Sequence, residues 1–358
     1  MPHFLVTMNC TQNCSLHSMD PLGDDIDHHV NFFPIPTLSV VTTICVLLAL
    51  IGICGNLMTI LIVLKFKDMR TTTNFYLSSM ALSDLFIFIC MPLDLYRIWK
   101  ERPWIFGDLL CKLFQFVSES CTYSTILSIT VLSMERYVAI CFPLKAKMVI
   151  TKGKVKVVIF FLWSLAFTCA GPIFILVGVE YMNGTDPLLT SECKPTEYAH
   201  RSGLLNIMLW VSTTFFFLPV FCLSVFYSLI GRKLWRRRKE ALVSNRENNH
   251  KQTVKMLAVV IFAFVLCWLP FHVGRYLFSK ASEVWTEQLY QISQYFNLVS
   301  CVLFYLNAAI NPILYNIMSK KYRVAAVKLF QINQVLRKTP SKVKEHSVPS
   351  WTESSVST

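Results

Sequence analysis

Seven apolar runs organise this chain, at roughly residues 38–65, 73–98, 108–141, 155–178, 203–232, 252–279 and 288–318. Each is long enough to cross about 30 Å of hydrocarbon at about 1.5 Å per residue. In that solvent every backbone N–H and C=O must find its partner within the segment, which leaves the helix. The expected fold class is an all-α membrane protein, a seven-transmembrane helix bundle. An odd number of crossings puts the termini on opposite sides.

Charge supports this reading. Only 15% of the residues are charged and 54% are hydrophobic, whereas a soluble domain is about 25% charged. The net charge of +13 invites a nucleic-acid reading, but its distribution argues against one: of 34 Lys and Arg, three lie in 65–70, six in 136–156, nine in 232–255 and eight in 320–344. Residues 1–36 have none and contain Asp20, Asp24, Asp25 and Asp27. Positive charge gathers on the cytoplasmic side, so the N-terminus is expected outside and the C-terminus inside, in a plasma-membrane protein. Attraction to anionic membrane lipid is a modest further contribution, and no nucleic-acid partner is expected.

Residues 1–36 read as an extracellular tail punctuated by Pro21, Gly23, Pro34 and Pro36, without a cleavable signal peptide. Asn9, Asn13 and Asn183 each begin an Asn-x-Ser/Thr glycosylation triplet. The transmembrane domain is expected over 37–318. A short amphipathic cytoplasmic helix follows over 319–330, where apolar Tyr322, Val324, Ala325, Val327, Leu329 and Phe330 mix with four cations. The polar, Ser- and Thr-rich 331–358 reads as a disordered cytoplasmic tail. Most of the thirteen cysteines sit inside apolar runs as small hydrophobes. Cys111 and Cys193 lie instead at extracellular ends, where oxidation is permitted and a bridge would tie the loop after the fourth span to the top of the third.

The third run has both membrane faces at its ends. From Cys111 to Arg136 a helix rises about 37 Å. Inside the bilayer an ionisable group costs at least about 2.5 kcal/mol unless paired or hydrated, so the intramembrane charges are informative. Asp84 lies mid-span with Asn56, Thr125, Asn307 and Asn311 in reach, as a structural polar network, a sodium site, or both. Asp94, Arg97, Gln115, Glu119, His272 and Arg275 cluster in the outer third. Glu119 and Arg275 are expected to pair or to bind a charged ligand, with Phe271, Phe278 and Phe304 as an adjoining apolar wall. At the inner end Glu135, Arg136 and Tyr137 close the span, and Glu135 can hold and release Arg136. Pro92, Pro172, Pro219 and Pro270 lie within spans and Pro312 near the end of the last, as a moving bundle would need.

Together these residues resemble the rhodopsin class of G protein-coupled receptors. The resemblance rests on Gly55 and Asn56, LSSMALSD ending at Asp84, Cys111, SMERY ending at Tyr137, Trp163, Pro219, FVLCWLPFH with Trp268 and Pro270, and NPILY at 311–315. Longer stretches such as FGDLLCKLFQFVSESCTY and CWLPFHVGRYLFSK are similar to the ghrelin and motilin receptor branch, and the short loop of about 180–202 favours the ghrelin side. The resemblance implies an acylated peptide hormone as ligand. Glu119 and Arg275 would divide the pocket, with Asp94, Arg97 and Gln115 on one side and Phe271, His272, Asn297 and Phe304 on the other. It also implies Trp268 as a toggle above Pro270, Arg136 as contact for a Gq-class G protein leading to calcium release, and Asn311, Pro312 and Tyr315 as the region that rearranges. Asp84, Thr125, Asn307 and Asn311 would hold an allosteric sodium ion, with no other cofactor. A receptor kinase and arrestin would act through the tail. His250 and Lys251 stand where relatives place an acid that locks Arg136, which implies ligand-free activity.

Other classes fit poorly. An intramembrane enzyme needs a nucleophile and base at depth, and a transporter needs paired broken helices. An opsin needs a lysine in 288–318, which has none, and an amine receptor an aspartate where Ser118 stands.

Overall fold

The computed structural model describes residues 33–100, 102–181, 184, 186–239, 255, 258–259, 261–274, 287–318 and 321–329. Six of its helices are long and apolar enough to cross a membrane, and a shorter apolar helix supplies the described part of a seventh. They are α1 (Ile35–Lys65), α2 (Thr72–Trp99), α3 (Gly107–Cys141), α4 (Lys152–Ala170), α5 (Leu204–Lys239), α6 (Ile261–Gly274) and α7 (Glu287–Met318). Residues 321–329 form a further helix, α8.

The ends of these helices follow from local chemistry. Pro34 caps α1 and Pro36 lies in its first turn, where a missing N–H costs no hydrogen bond, so the helix takes in residues assigned above to the tail. Thr71 and Thr151 cap α2 and α4, their hydroxyls accepting from Asn74 N at 3.2 Å and Lys154 N at 3.4 Å. Pro92, Pro219, Pro270 and Pro312 lie inside α2, α5, α6 and α7.

The fourth span differs from its sequence reading. The helix stops at Ala170, Gly171 and Pro172 break it, and after a single turn at Ile173–Leu176 the chain runs into strand β1 (Val177–Glu180). The apolar residues 173–179 continue the hydrophobic run, so composition alone does not separate the helix from the buried strand after it. Strand β1 pairs antiparallel with β2 (Glu192–Pro195), with Val177 opposite Pro195 and Glu180 opposite Glu192.

α3 is the central post, packing against α2, α4 and α5, and β1 rests on it too. α1 packs against α2 and α7. Close approach there depends on small residues: a Cβ on Gly52 would overlap the Phe88 ring, and one on Gly55 would fall 2.6 Å from Pro312 Cγ. α8 buries Tyr322, Ala325, Ala326 and Leu329 against Ile62 and Met69, and leaves Val324 and Val327 exposed.

Candidate functional site

Two ends of the bundle carry the chemistry, and α3 joins them. At the end where α3 begins, Cys111 and Cys193 form a disulfide with a Cα–Cα distance of 5.7 Å. It is one of several fastenings. Asp108, in the first turn of α3, accepts from Val179 N at 3.0 Å through Oδ1 and pairs with Lys112 at 2.6 Å through Oδ2. Thr196 N donates to Leu176 O at 2.9 Å. In the loop between α2 and α3, Arg102 donates to Glu192 Oε2 from Nε at 3.2 Å and from Nη2 at 3.0 Å, and Lys194 Nζ reaches the same oxygen at 3.1 Å. Trp104 N donates to Ser191 O at 2.8 Å. The hairpin is therefore held to α3 and to the preceding loop at once. Close to it, burial and the neighbouring Lys194 ammonium hold the His200 imidazole below its ordinary value, with Glu180 pulling the other way.

Below the hairpin, α2, α3 and α7 converge polar side chains. Asp94 and Arg97 stand one turn apart on α2, and Gln115 and Glu119 one turn apart on α3, so each pair shares a helix face. Asp94, Gln115, Glu119 and Asn297 are buried, Glu119 fully. Asp94 Oδ2 accepts from the Tyr305 hydroxyl at 2.6 Å. The Arg97 guanidinium lies 5.7 Å from the Phe114 ring centroid, within range of a cation–π contact. Arg275, the expected partner of Glu119, lies outside the described residues, as does Phe278.

An aromatic wall rises beside this cluster. His272 stacks on Phe216 at 4.4 Å and meets Phe271 at 5.2 Å. Trp268 stands edge-on to Phe271 at 5.9 Å and to Phe304 at 5.8 Å. The structure thus brings together Phe271, His272, Phe304 and Trp268, with Trp268 and Leu269 immediately before Pro270 in the chain.

Midway along the bundle Asp84 is fully buried, and its Oδ2 accepts from Asn311 Nδ2 at 3.1 Å. Asn56 Nδ2 donates to Ala308 O at 3.0 Å. Thr125 and Asn307 are buried on α3 and α7. Asp84 Oδ1, Thr125 Oγ1, Ser124 Oγ and Ser128 Oγ are buried without a hydrogen-bond partner. Carboxylate and hydroxyl oxygens are the donors a hard cation takes, so these residues fit a sodium ion.

At the far end of α3, the Glu135 carboxylate accepts from Tyr76 Oη at 2.7 Å, and Arg136 Nη2 donates to Thr72 Oγ1 at 3.5 Å. In this arrangement the hydrogen bonds of both residues run to α2: consecutive helical side chains point about 100° apart, and Tyr76 and Thr72 meet them there. Tyr137 stacks with Phe226 of α5 at 5.7 Å. Pro312 is buried beside Gly55, and Tyr315 belongs to α7, its side chain outside the described residues. Asn9, Asn13, Asn183, His250, Lys251 and the tail from 330 onward also lie outside them.

Residues 55–315 match the 7 transmembrane receptor (rhodopsin family) profile. The chain is 66% identical to the growth hormone secretagogue receptor type 1 of Homo sapiens, over 95% of this chain and 93% of that receptor. It is 65% identical to the same receptor of Mus musculus, over 95% and 93% of the two chains. Against the motilin receptor of Homo sapiens it is 45% identical, over 83% and 82%. The chain belongs to the rhodopsin family of seven-transmembrane receptors. It is a multi-pass membrane G protein-coupled receptor and not an enzyme.

Several residues that shape this rhodopsin-family receptor escaped the sequence reading. Tyr305 and Tyr76 each clamp a buried acid, Glu192 gathers Arg102 and Lys194, and Trp99 Nε1 donates to Thr42 Oγ1 at 2.7 Å between α2 and α1. A buried tyrosine in an aromatic-rich chain gives no signal of its own. Glu192, one residue before Cys193 in a short polar loop, was the one traceable from sequence.

Proposed function

We propose that this receptor takes an acylated peptide hormone of the ghrelin kind at its disulfide-bearing end and activates a Gq-class G protein at its Arg136 end, leading to calcium release. The observation that supports the reading is the layout of α3, which carries the buried Gln115 and Glu119 toward its disulfide-bearing end and Arg136 at the other. A peptide's charged N-terminal end would meet Asp94, Arg97 and Gln115, with Glu119 facing Arg275. Its acyl chain would lie toward Phe271, His272, Asn297 and Phe304. The identity to growth hormone secretagogue receptors supports this ligand class over a motilin-like peptide.

The disulfide end and the N-terminus would face outside, and α8 and the C-terminus the cytoplasm. The mechanism is a population shift: a ligand that binds the open arrangement better moves the bundle toward it, with α6 swinging about Pro270 beneath Trp268 and α7 rearranging around Asn311, Pro312 and Tyr315. Asp84, Thr125, Asn307 and Asn311 would hold an allosteric sodium ion, whose charge would favour the arrangement that encloses it. Part of the signal is ligand-free, and a receptor kinase and arrestin act on the Ser- and Thr-rich tail. Membrane lipid contacts Val324 and Val327 of α8.

The test is calcium release in cells expressing the full chain, challenged with octanoylated ghrelin, the same peptide without its acyl group, and motilin, each also on Glu119→Gln. Response to the acylated peptide alone, lost in the variant, is expected. Silence to all three with the protein at the cell surface would remove the ligand assignment, and untransfected baseline output without ligand would remove the ligand-free activity.

A further inference from the structure

At the Arg136 end, two residues on α2 stand opposite two residues on α3. Thr72 and Tyr76 are four apart, so their side chains lie on one face of α2, a single turn from each other. Glu135 and Arg136 are consecutive and splay around α3. The Tyr76 hydroxyl donates to Glu135 Oε1 at 2.7 Å, and Thr72 Oγ1 accepts from Arg136 Nη2 at 3.5 Å. Among the described residues, no ion pair within 4.0 Å closes between Glu135 and Arg136. Glu135 Oε2 and Arg136 Nε are each buried without a hydrogen-bond partner. Two complementary charges thus lie next to each other in the chain, each with unmet hydrogen-bonding capacity and each hydrogen-bonded to α2.

The two α2 contacts differ in strength. At 3.5 Å the Thr72 contact is at the outer limit for a hydrogen bond, whereas 2.7 Å from a hydroxyl to a carboxylate is a strong one. The Tyr76 ring is fully buried in the main hydrophobic core, so its hydroxyl reaches Glu135 from a packed side chain.

We infer that Tyr76 is a positioning residue for Arg136: by holding Glu135 it prevents the carboxylate from closing on the guanidinium and keeps the arginine available to a G protein. The inference rests on the reading of Arg136 as the G protein contact. Without the hydroxyl, the closest compensation left to the buried carboxylate is its neighbour's guanidinium, and the closed pair would withdraw Arg136 from use.

The experiment compares the full-length receptor with Tyr76→Phe, Glu135→Gln and the double variant, at matched surface density, by nucleotide exchange on the G protein without ligand and with octanoylated ghrelin. Tyr76→Phe deletes one oxygen and leaves the packed ring in place. Ligand-free exchange is expected to fall about fivefold or more, as for loss of a hydrogen bond to a charged group, with agonist affinity unchanged. On the Glu135→Gln background the same substitution is expected to change exchange by less than about twofold, because a neutral amide forms no ion pair with Arg136. Exchange equal to the parent in Tyr76→Phe overturns the inference, as does an equal fall on both backgrounds, which would mark a purely structural role. Unfolding temperatures of the same four purified proteins read the contact without any G protein, and additive shifts would also overturn it. A parent that exchanges no nucleotide under any condition sinks the proposed function instead, and the unfolding cycle then decides whether Tyr76 holds Glu135.

Discussion

The Tyr305 hydroxyl on α7 donates to Asp94 Oδ2 on α2 at 2.6 Å, and both side chains are buried. The second oxygen, Asp94 Oδ1, has no hydrogen-bond partner. Tyr305→Phe would leave the whole carboxylate unmet, at a cost of about 1–3 kcal/mol. A lower unfolding temperature of the purified receptor is expected, partly restored in Tyr305→Phe with Asp94→Asn, since a neutral amide is less costly to bury. Unchanged unfolding in the single variant would show that the contact contributes nothing.

Gly55 admits Pro312 to the surface of α1. An added Cβ would lie 2.6 Å from Pro312 Cγ and 2.8 Å from its Cβ, and the proline ring has no rotamer to escape into. Gly55→Ala should therefore push α7 away from α1 and cost about 1–3 kcal/mol, the usual range for overpacking. Thermal unfolding beside Gly153→Ala, where an added Cβ meets open space, makes the comparison. Equal losses in the two would remove close approach as the reason for glycine at 55.

The disulfide closes a sequence separation of 82 residues. By the chain-entropy account, a loop of that length is worth about 4.5 kcal/mol. Cys193→Ala should lower the unfolding temperature and the amount of receptor at the cell surface. The Arg102, Asp108 and Thr196 contacts remain, so some of the hairpin's order should survive. Hydrogen exchange at Val179 N, which donates to Asp108, reports that remainder, and full exposure of this amide would show that the disulfide alone holds the hairpin.

His200 gives the hairpin end a pH dependence of known sign. Its folded value lies below the ordinary one because of burial and Lys194, so between those two values the unfolded chain binds more protons. Stability from this group is complete above about pH 6.5 and declines as pH falls from there toward the folded value. The unfolding temperature should drop more between pH 7.5 and 5.5 in the parent than in His200→Gln. Identical slopes would dismiss His200 as the source.

The helices were legible in the sequence because the bilayer leaves so few solutions. The expected 73–98 and 108–141 differ by only a residue from Thr72–Trp99 and Gly107–Cys141. The end of the fourth span was not legible, because the apolar run continues through the helical turn at Ile173–Leu176 into the strand at Val177–Glu180, and a buried strand and a helix end share composition. At the site, the charged members Asp84, Asp94, Glu119 and Arg136 stood out because charge is rare in such a chain. Their partners did not. Whether Tyr76 faces Glu135 or Tyr305 faces Asp94 depends on how far one helix slides past another, and no spacing within either helix records that offset.

The hairpin beside α3 also bears on what it costs to bind a ligand. Its strands are crosslinked to one helix, hydrogen-bonded to that helix's first turn and salt-bridged to the loop before it. Their conformational entropy is lost when the protein folds rather than when a ligand arrives. If a hormone enters at this end, as proposed, the described strands need no further ordering when it arrives, and the cost of arranging them is not taken from its affinity.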